Sequence, residues 1–257
     1  TKVSDKISST PMVSMMTKKL NAAAGIIITA SHNPPRYNGY KIKGEFGGPA
    51  YPETIEKVEK HLSKILQSSD KVEIKKPLEK LVQEGKVKYI DMTKMYLNDI
   101  KQKLDVKLVN NSGIRILHDA MYGSGMGVLT QLLPACHQIH GEFNPSFAGV
   151  NPEPIDKNLQ ELMLKTKTGK FDVGIATDGD ADRVGVVDEK GNYVDPHRVF
   201  SLLLKYLVEE KKIKGEVAKS FTVTDIVDRQ CKKYGIKLHT TSVGFKYICQ
   251  LMDERKI

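Results

Sequence analysis

The sequence predicts an α/β protein of two to three similar units with mixed sheets, and a functional site in the cleft between them. Short apolar runs rich in β-branched residues, such as Gly25–Ala30, are typical of strands. They alternate with longer segments whose apolar residues recur at helical spacing, such as Pro52–Gln67. Turns rich in Gly, Pro, Asn and Asp separate the two kinds of segment. A chain of 257 residues is long enough for more than one such unit.

Residues 1–95 are predicted to form the first domain. Gly25–Ala30 is expected to be a buried strand that ends in the turn Ser31–Gly39, because the Asn, Pro and Gly residues there favour neither strand nor helix. Pro52–Gln67 is predicted to be a strongly amphipathic helix, with proline at its start. A second helix is predicted over Asp91–Lys103, and a domain junction is expected somewhere in residues 94–112.

Residues 96–195 are predicted to form the second domain. A glycine-rich turn follows its first strand, residues 144–155 read as a loop, and a polar loop of alternating aspartates separates its last two strands. The turn Glu189–Asn192 is typical of a hairpin, so these two strands are expected to pair antiparallel. The predicted strands and helices are Ile114–His118, Met126–Leu133, Asn158–Lys167, Val173–Ala176 and Val184–Val187.

Residues 196–257 are predicted to begin a third domain. Its strands and helices alternate again, and this alternation is still unfinished at Ile257. Because the chain also starts at Thr1 rather than at Met, we expect it to be incomplete at both ends. The predicted elements are Val199–Glu210, Val217–Phe221, Thr224–Tyr234, Ile236–Thr241 and Phe245–Met252.

Composition excludes several classes of function. No apolar run approaches the roughly 20 residues that span a bilayer, so no membrane partner is expected. The net charge of +9 comes mostly from lysines scattered along helix-like segments, which favours a solvated surface and phosphorylated ligands over nucleic acid. Three widely spaced cysteines indicate reduced, buried thiols and a cytoplasmic protein. Nothing in the sequence indicates an oligomeric state.

The most specific local feature is the acidic loop Asp178-Gly179-Asp180-Ala181-Asp182-Arg183. Three carboxylates at alternate positions repel one another, and a hard divalent cation such as Mg²⁺ or Ca²⁺ would relieve that repulsion. The alternative is a solvated acidic turn, although the apolar strands on both sides favour a buried position. The spacing also imitates an EF-hand calcium loop, but that loop requires glycine where Arg183 stands and helices on both sides. Arg183 could form a simple ion pair or bind a phosphate.

The second feature is Ser31, which directly follows a predicted strand on a proline-braced loop. Such a serine is held in a fixed direction, which suits a nucleophile or a phosphoryl carrier, but a serine that only bonds its own turn is common. His32 could donate or orient a proton, or be structural. Lys41 could act as a base or neutralise a phosphate, or be a surface charge.

Together the segments Thr29–Ile42 (TASHNPPRYNGYKI) and Thr177–Asp188 (TDGDADRVGVVD) resemble the α-D-phosphohexomutase superfamily of phosphoglucomutases and phosphomannomutases. Ser9–Pro11 (STP) and Thr241–Ile248 (TSVGFKYI) are similar to further segments of that superfamily. The resemblance extends over nearly the whole chain, and the two main motifs occur in the order that the superfamily has.

The resemblance implies a role for each matching residue. Ser31 would carry the phosphoryl group, and an oxygen of the phosphoserine would join the three aspartates as a ligand of one Mg²⁺ ion. His32 and Lys41 would take part in proton transfer. Arg183 would lie near the phosphoserine and the substrate, and Val243 and Gly244 would contact the substrate. The aspartates in question are Asp178, Asp180 and Asp182.

The implied reaction interconverts hexose 1-phosphate and hexose 6-phosphate. The phosphoserine gives its phosphoryl group to one hydroxyl of the sugar, and the bisphosphorylated sugar then returns its other phosphate to Ser31. Sugar bisphosphate is therefore both intermediate and activator. The motif around Asn33–Ile42 favours glucose or mannose phosphate over glucosamine phosphate as the substrate.

The sequence also departs from the superfamily. The N-terminal glycine-rich motif, the sugar loop of the third domain and the fourth domain are not present, so we expect little mutase activity from these 257 residues alone. Two alternatives stay open at this point. One is a magnesium-dependent phosphatase that forms an aspartyl phosphate, and the other is a calcium-binding module without enzyme activity.

Overall fold

The computed structural model describes residues 1–67 and 76–254. The chain divides into two compact units, one of Thr1–Thr29 with Gly39–Val106 and one of Ala30–Asn38 with Lys107–Ile257. Residues 68–75 and 255–257, which belong to the predicted first and third domains, lie outside the described residues. The domain boundaries after residues 95 and 195 stay predictions.

The first unit contains two pairs of strands and several helices. β1 pairs in parallel with β4, and β2 forms an antiparallel hairpin with β3. Helix α2 has the predicted bounds, and α4 begins one residue later than predicted. The elements are β1 (Lys2–Ser4), α1 (Thr10–Lys19), β2 (Ala24–Thr29), β3 (Gly39–Gly44), α2 (Pro52–Gln67), α3 (Leu78–Gln83), β4 (Lys88–Ile90) and α4 (Met92–Lys103). Helix α5 (Val106–Asn111) begins at the division between the units.

The start of α1 shows how the sequence sets a local structure. The side chain of Ser9 accepts a hydrogen bond from the backbone N–H of Met12, and proline follows in the first turn. Sequence analysis did not identify this helix, although its cap lies in the STP segment. The helix buries Met12 and Met16, which are each 1% exposed, and it packs against β2.

The expectation that β2 is buried is wrong for one of its faces. Ile27 is 6% exposed, but Ile28 is 69% exposed. Successive side chains of a strand point to opposite faces. Only the face that includes Gly25 and Ile27 is therefore covered by α1. The apolar stripe of α2 is similarly exposed, and this helix has no buried residue.

The second unit holds most of the chain's regular structure. The elements are β5 (Ile116–Asp119), α6 (Val128–Leu132), β6 (His137–Ile139), α7 (Gln160–Thr168), β7 (Val173–Thr177), β8 (Val184–Asp188), β9 (Tyr193–Val194), α8 (Pro196–Glu209), β10 (Val217–Ser220), α9 (Ile226–Tyr234), β11 (Leu238–Thr241) and α10 (Phe245–Asp253). Two short 3₁₀ turns, Phe147–Gly149 and Asp156–Asn158, precede α7. Among these elements the short strands β6 and β9 were missed by the sequence analysis.

A five-stranded mixed sheet with strand order β6-β5-β7-β8-β9 is the centre of this unit. β6, β5 and β7 are parallel, and β7, β8 and β9 are antiparallel. The predicted antiparallel pairing of β7 and β8 is confirmed. The acidic loop, however, is the connection between those strands, whereas the turn at Glu189–Asn192 leads from β8 to β9. The predicted α/β class with mixed sheets is confirmed.

Helix α7 covers one face of this sheet. The fully buried side chains of Leu159 and Leu162 pack with Leu117, Ala176 and Val187 of the strands. Full burial of a large apolar side chain contributes about 1.5–3 kcal/mol to the free energy of folding. This core holds β7 in the sheet, and the predicted metal ligands follow the end of that strand.

A smaller layer follows the sheet in the chain. Asp195 caps α8 by accepting hydrogen bonds from the N–H groups of His197 and Arg198. α8 packs on α9, and β10 pairs in parallel with β11. Gly235, with φ of 67°, ends α9 at the predicted position. None of the described helices combines the length and apolar character needed to cross a membrane.

Candidate active site

The acidic loop connects β7 to β8 and is closed by the pairing of Thr177 with Val184. Asp178 shapes the loop, because its Oδ1 accepts hydrogen bonds from the N–H groups of Asp182 at 2.9 Å and Arg183 at 3.0 Å. Ala181 adopts the left-handed conformation, with φ of 55°. The loop is thus a tight turn organised around one buried carboxylate and flanked by strands on both sides. An EF-hand has helices there, so the structure does not support that reading.

The three predicted metal ligands lie together. Ligand atoms of Asp178, Asp180 and Asp182 are all within 4.8 Å of one another. The first two residues are buried and the third is exposed. Like charges so close in a partly buried site disfavour the ionised forms, and a bound cation reverses that effect.

Asp178 provides the test of whether a cation fits here. Its Oδ2 is buried and receives no hydrogen bond from any residue that the structure describes. Burial raises the pKa of this carboxyl group to about 7, and the nearby charges of Asp180 and Asp182 contribute to the same rise. A buried carboxylate oxygen without a donor, next to two more carboxylates, matches the oxygen ligands that Mg²⁺ and Ca²⁺ prefer. The residues therefore fit a hard divalent cation.

Ser31 lies beside this loop. Its Oγ donates a hydrogen bond to Oδ1 of Asp180 at 3.2 Å, across 149 positions of sequence. The Nδ1 of His32 is 3.5 Å from the same Oγ. Ser31 has φ of 54°, a conformation that costs a non-glycine residue on the order of 1 kcal/mol. With this backbone conformation the hydroxyl of Ser31 reaches the carboxylate of Asp180.

Gly179 makes this approach possible. A Cβ atom at this position would lie 2.1 Å from the backbone oxygen of Ser31 and 3.1 Å from Cγ of Pro152. The N–H of Gly179 also donates to the carbonyl oxygen of Pro152 at 3.1 Å. Any side chain here would push the serine loop away from Asp180. Sequence analysis did not assign a role to Gly179 or Pro152, although glycine between two aspartates is the signal that could have indicated a close approach.

Arg183 makes only long ion pairs with the described residues. Its Nε is 3.9 Å from Oδ2 of Asp178, and its Nη1 is 3.8 Å from Oε1 of Glu153. The side chain is 46% exposed. Such an arginine holds no tight bidentate partner in its described contacts, which leaves its planar donor groups available to an anion.

The remaining predicted site residues lie elsewhere in the chain. Lys41 lies on β3 of the first unit and is half-buried. Val243 and Gly244 precede α10, and Val243 is 60% exposed. Within the described part of the chain, neither Val243 nor Gly244 hydrogen-bonds to the serine loop or to the acidic loop. The roles of all predicted site residues stay predictions.

Comparison with known proteins identifies the family. Models of three α/β/α domains of the phosphoglucomutase/phosphomannomutase family match the chain in order: domain I at residues 1–69, domain II at 94–191 and domain III at 195–257. The chain belongs to the α-D-phosphohexomutase superfamily. The motifs that suggested this superfamily in the sequence therefore indicated the correct one.

Individual members of the superfamily agree over most of this chain. A probable phosphoglucosamine mutase of Methanosphaera stadtmanae is 34% identical over 256 residues, covering 96% of the chain and 52% of the relative. A phosphoglucomutase/phosphomannomutase of Thermococcus kodakarensis is 30% identical over 254 residues, covering 96% of the chain and 53% of the relative. A crystal structure of a Thermus thermophilus protein assigned as a phosphomannomutase matches with a TM-score of 0.87 and 33% identity. The match covers 99% of this chain and 56% of the Thermus protein. The chain thus spans about half the length of the curated relatives it matches.

Proposed function

We propose that this chain carries the phosphoryl-donor part of a hexose phosphate mutase, with Ser31 as the phosphoryl carrier and the acidic loop as a Mg²⁺ site. The observation that carries the proposal is the hydrogen bond between Ser31 Oγ and Asp180 Oδ1, 3.2 Å long. It brings a hydroxyl that can hold a phosphoryl group within reach of three carboxylates that suit a divalent cation. Membership of the superfamily supports the same assignment.

The reacting atom of the chain is Ser31 Oγ. In the forward step the bond between this oxygen and phosphorus breaks, and a sugar hydroxyl forms a new bond to the same phosphorus as it loses its proton. In the return step Oγ forms a bond to the phosphorus of the other phosphate, the bond between that phosphorus and the sugar oxygen breaks, and the sugar oxygen takes up a proton. Phosphoryl transfer depends mainly on positioning and on neutralising charge, so a fixed serine direction is an advantage.

Asp178, Asp180 and Asp182 would hold the Mg²⁺ ion together with an oxygen of the phosphoserine. A bound Mg²⁺ supplies positive charge that stabilises the phosphoryl oxygens. Asp180 is placed to serve both purposes, because its Oδ1 already receives the Ser31 hydroxyl in the unphosphorylated chain.

Proton transfer requires a base near the attacking hydroxyl. His32 is adjacent to Ser31 Oγ, and Lys41 is the second candidate. Arg183, with its half-exposed guanidinium group, would bind a substrate phosphate. Val243 and Gly244 would contact the sugar from the segment before α10. These assignments depend on the superfamily resemblance more than on distances.

The proposed substrates are hexose phosphates, and the proposed activator is a hexose bisphosphate. The relatives are named for glucosamine, glucose and mannose phosphates. The preference for glucose or mannose phosphate that the serine motif indicates therefore stays a prediction. The expected low activity of the 257 residues alone also stays a prediction.

The test is to incubate the chain with Mg²⁺ and glucose 1,6-bisphosphate and to measure its intact mass. We expect the mass of one added phosphoryl group, located at Ser31 by fragmentation, and no addition in Ser31→Ala. Ser63→Ala is the matched control, because Ser63 is an exposed serine whose hydroxyl bonds the backbone oxygen of Glu59. This control should accept the phosphoryl group as the unmodified chain does.

Two outcomes would contradict the proposal. Phosphate on an aspartate, recognised by its lability to hydroxylamine, would favour the phosphatase alternative. Binding of Ca²⁺ in preference to Mg²⁺ with no phosphorylation would favour a calcium module. Neither alternative gains support from the family comparison.

A further inference from the structure

We propose that His118 is a positioning residue for the acidic loop, and that it acts through a hydrogen bond accepted from the hydroxyl of Thr177. The inference rests on the proposed metal-binding role of the loop. His118 is 1% exposed and lies on a short strand whose four residues are all buried. A buried histidine of this kind needs partners for both ring nitrogens.

The partners come from the two neighbouring strands. In the parallel ladders His118 of β5 is opposite Gln138 of β6 and Ile175 of β7. Thr177 is two residues beyond Ile175 and therefore points to the same face. The ring Nδ1 is 3.3 Å from Oε1 of Gln138, and Nε2 is 3.2 Å from Oγ1 of Thr177. The three polar side chains form one row across the sheet, on the face opposite the core under α7.

The direction of each hydrogen bond in this row can be deduced. The N–H of Gly127 donates to Oε1 of Gln138 at 2.9 Å, which identifies that atom as the amide oxygen. An amide oxygen only accepts, so the proton between Gln138 and His118 belongs to Nδ1 of His118. Burial lowers the pKa of His118, which keeps the ring neutral and leaves Nε2 without a proton. The hydroxyl of Thr177 must therefore donate to Nε2.

The place of Thr177 explains why this bond matters. The ladder between β5 and β7 ends at the pair Asp119 and Ala176, so Thr177 is the first residue of β7 beyond it. Asp178, the buried organiser of the acidic loop, follows directly. Threonine is restricted at χ1, so fixing its hydroxyl also limits the backbone from which the loop departs. His118 thus replaces a missing ladder contact with a side-chain tether.

The glycine-rich turn after β5 covers the same row. A Cβ atom on Gly125 would lie 2.6 Å from Oγ1 of Thr177. The N–H of Ser124 in this turn donates to the carbonyl oxygen of Gly179 at 2.9 Å. The turn and the polar row therefore contact the acidic loop from two directions, and the hydroxyl of Thr177 is enclosed between them.

The test compares Mn²⁺ affinity, measured by electron paramagnetic resonance, among variants of the whole chain. Thr177→Val keeps the branched shape and removes the donor, and we expect about tenfold weaker binding, the equivalent of one lost hydrogen bond. Thr177→Ser keeps the hydroxyl and should bind within about threefold of the unmodified chain.

Thr166→Val is the matched control. Thr166 is 0% exposed, and its hydroxyl donates to the carbonyl oxygen of Leu162 within α7, on the other face of the sheet. We expect this variant to lose stability as Thr177→Val does and to keep its Mn²⁺ affinity. Equal affinity in Thr177→Val and the unmodified chain, or an equal loss in Thr166→Val, would overturn the inference while leaving the metal site in place. Absence of any Mn²⁺ binding by the unmodified chain would instead contradict the proposed function itself, and the inference with it.

A second measurement needs no variant. Long-range ¹⁵N–¹H correlation spectra distinguish the two neutral forms of a histidine ring. We expect His118 to carry its proton on Nδ1 and to keep that form from mildly acidic to mildly alkaline pH. A proton on Nε2 would reverse the deduced direction and overturn the inference.

Discussion

Two groups of ionisable side chains lie near the ends of neighbouring strands of the same sheet. They differ in the partners that their carboxylates find within the chain. Beyond β5 and β6, Nδ1 of His140 is 2.9 Å from Oδ1 of Asp119, and its Nε2 is 3.1 Å from Oε2 of Glu161. Nζ of Lys165 lies 2.7 Å from Oε1 of Glu161. Beyond β7, the acidic loop brings three carboxylates within 4.8 Å of one another.

The difference teaches what an acidic cluster indicates. In the Asp119–His140–Glu161 group the chain itself supplies the hydrogen-bond partners, and Asp119 also accepts the N–H of Met121 at 2.8 Å. The carboxylates of this group therefore have partners within the chain. In the acidic loop the deepest carboxylate keeps a buried oxygen without a donor among the described residues. This buried oxygen without a donor, rather than the number of acidic residues, is what indicates a metal site.

Removing one carboxylate charge from each group should give the greatest difference in metal affinity. Asp180→Asn should weaken Mn²⁺ binding about a hundredfold, because one full charge a few ångströms from the ion is lost. Asp119→Asn should leave Mn²⁺ affinity unchanged, because its partners are His140 and a backbone N–H. Titration followed by electron paramagnetic resonance measures both. A similar loss in Asp119→Asn would show that the two groups act as one.

The second prediction concerns pH. The pKa of Asp178 is raised from 3.8 to about 7 by burial, so the folded chain holds a proton there that the unfolded chain has released. Without metal, this residue's contribution to stability is therefore fully present below about pH 4 and is lost as pH rises toward about 7. Asp178→Asn, which cannot ionise, should remove that part of the pH dependence.

The measurement for this second prediction is urea unfolding between about pH 4 and 7.5 in EDTA, with the difference between the unmodified chain and Asp178→Asn plotted against pH. The unmodified chain should lose stability relative to the variant as pH rises, and added Mg²⁺ should restore it. A difference that does not vary with pH would mean that Asp178 is not the titrating group.

We expect only small changes in stability from substitutions in and beside the Asp119–His140–Glu161 group. His140→Gln should lower the free energy of unfolding by about 1–2 kcal/mol, because it removes the ring whose two nitrogens contact two carboxylates. Lys165→Gln should leave it nearly unchanged, since the pair with Glu161 is half-exposed and only one helical turn apart. Urea unfolding measures both, and neither variant should alter Mn²⁺ affinity. A change in metal affinity in either variant would argue against separate roles.

Local features of the fold were predictable from the sequence. The helix Pro52–Gln67 has the predicted bounds because proline, apolar spacing and charge pattern agree there. The burial of β2 was not predictable, since an apolar run does not reveal how many faces of a strand a neighbour covers. The three-residue strand β6 is too short to show a periodicity, and it was missed.

The candidate site was predictable in parts. The spacing of the carboxylates in the acidic loop, together with the apolar strands on both sides, favours a cation site over a solvated turn. The approach of Ser31 to Asp180 was expected only through the superfamily resemblance, because no local rule relates residues 149 positions apart. The row of Gln138, His118 and Thr177 was not foreseen, since it depends on the register of three strands.

The distance along the chain between Ser31 and its carboxylate partner has a consequence for biosynthesis. A ribosome that adds about 5–20 residues per second needs roughly 7–30 s to pass from one residue to the other. During that interval the serine-bearing hairpin has been made, but the acidic loop has not, so the nascent polypeptide holds the Ser31 hydroxyl without its carboxylate partner. The unit that contains Ser31 Oγ and Asp180 can assemble only after both segments have left the exit tunnel. Completion of the candidate site is therefore coupled to translation of the second unit, whatever the folding rate of the first.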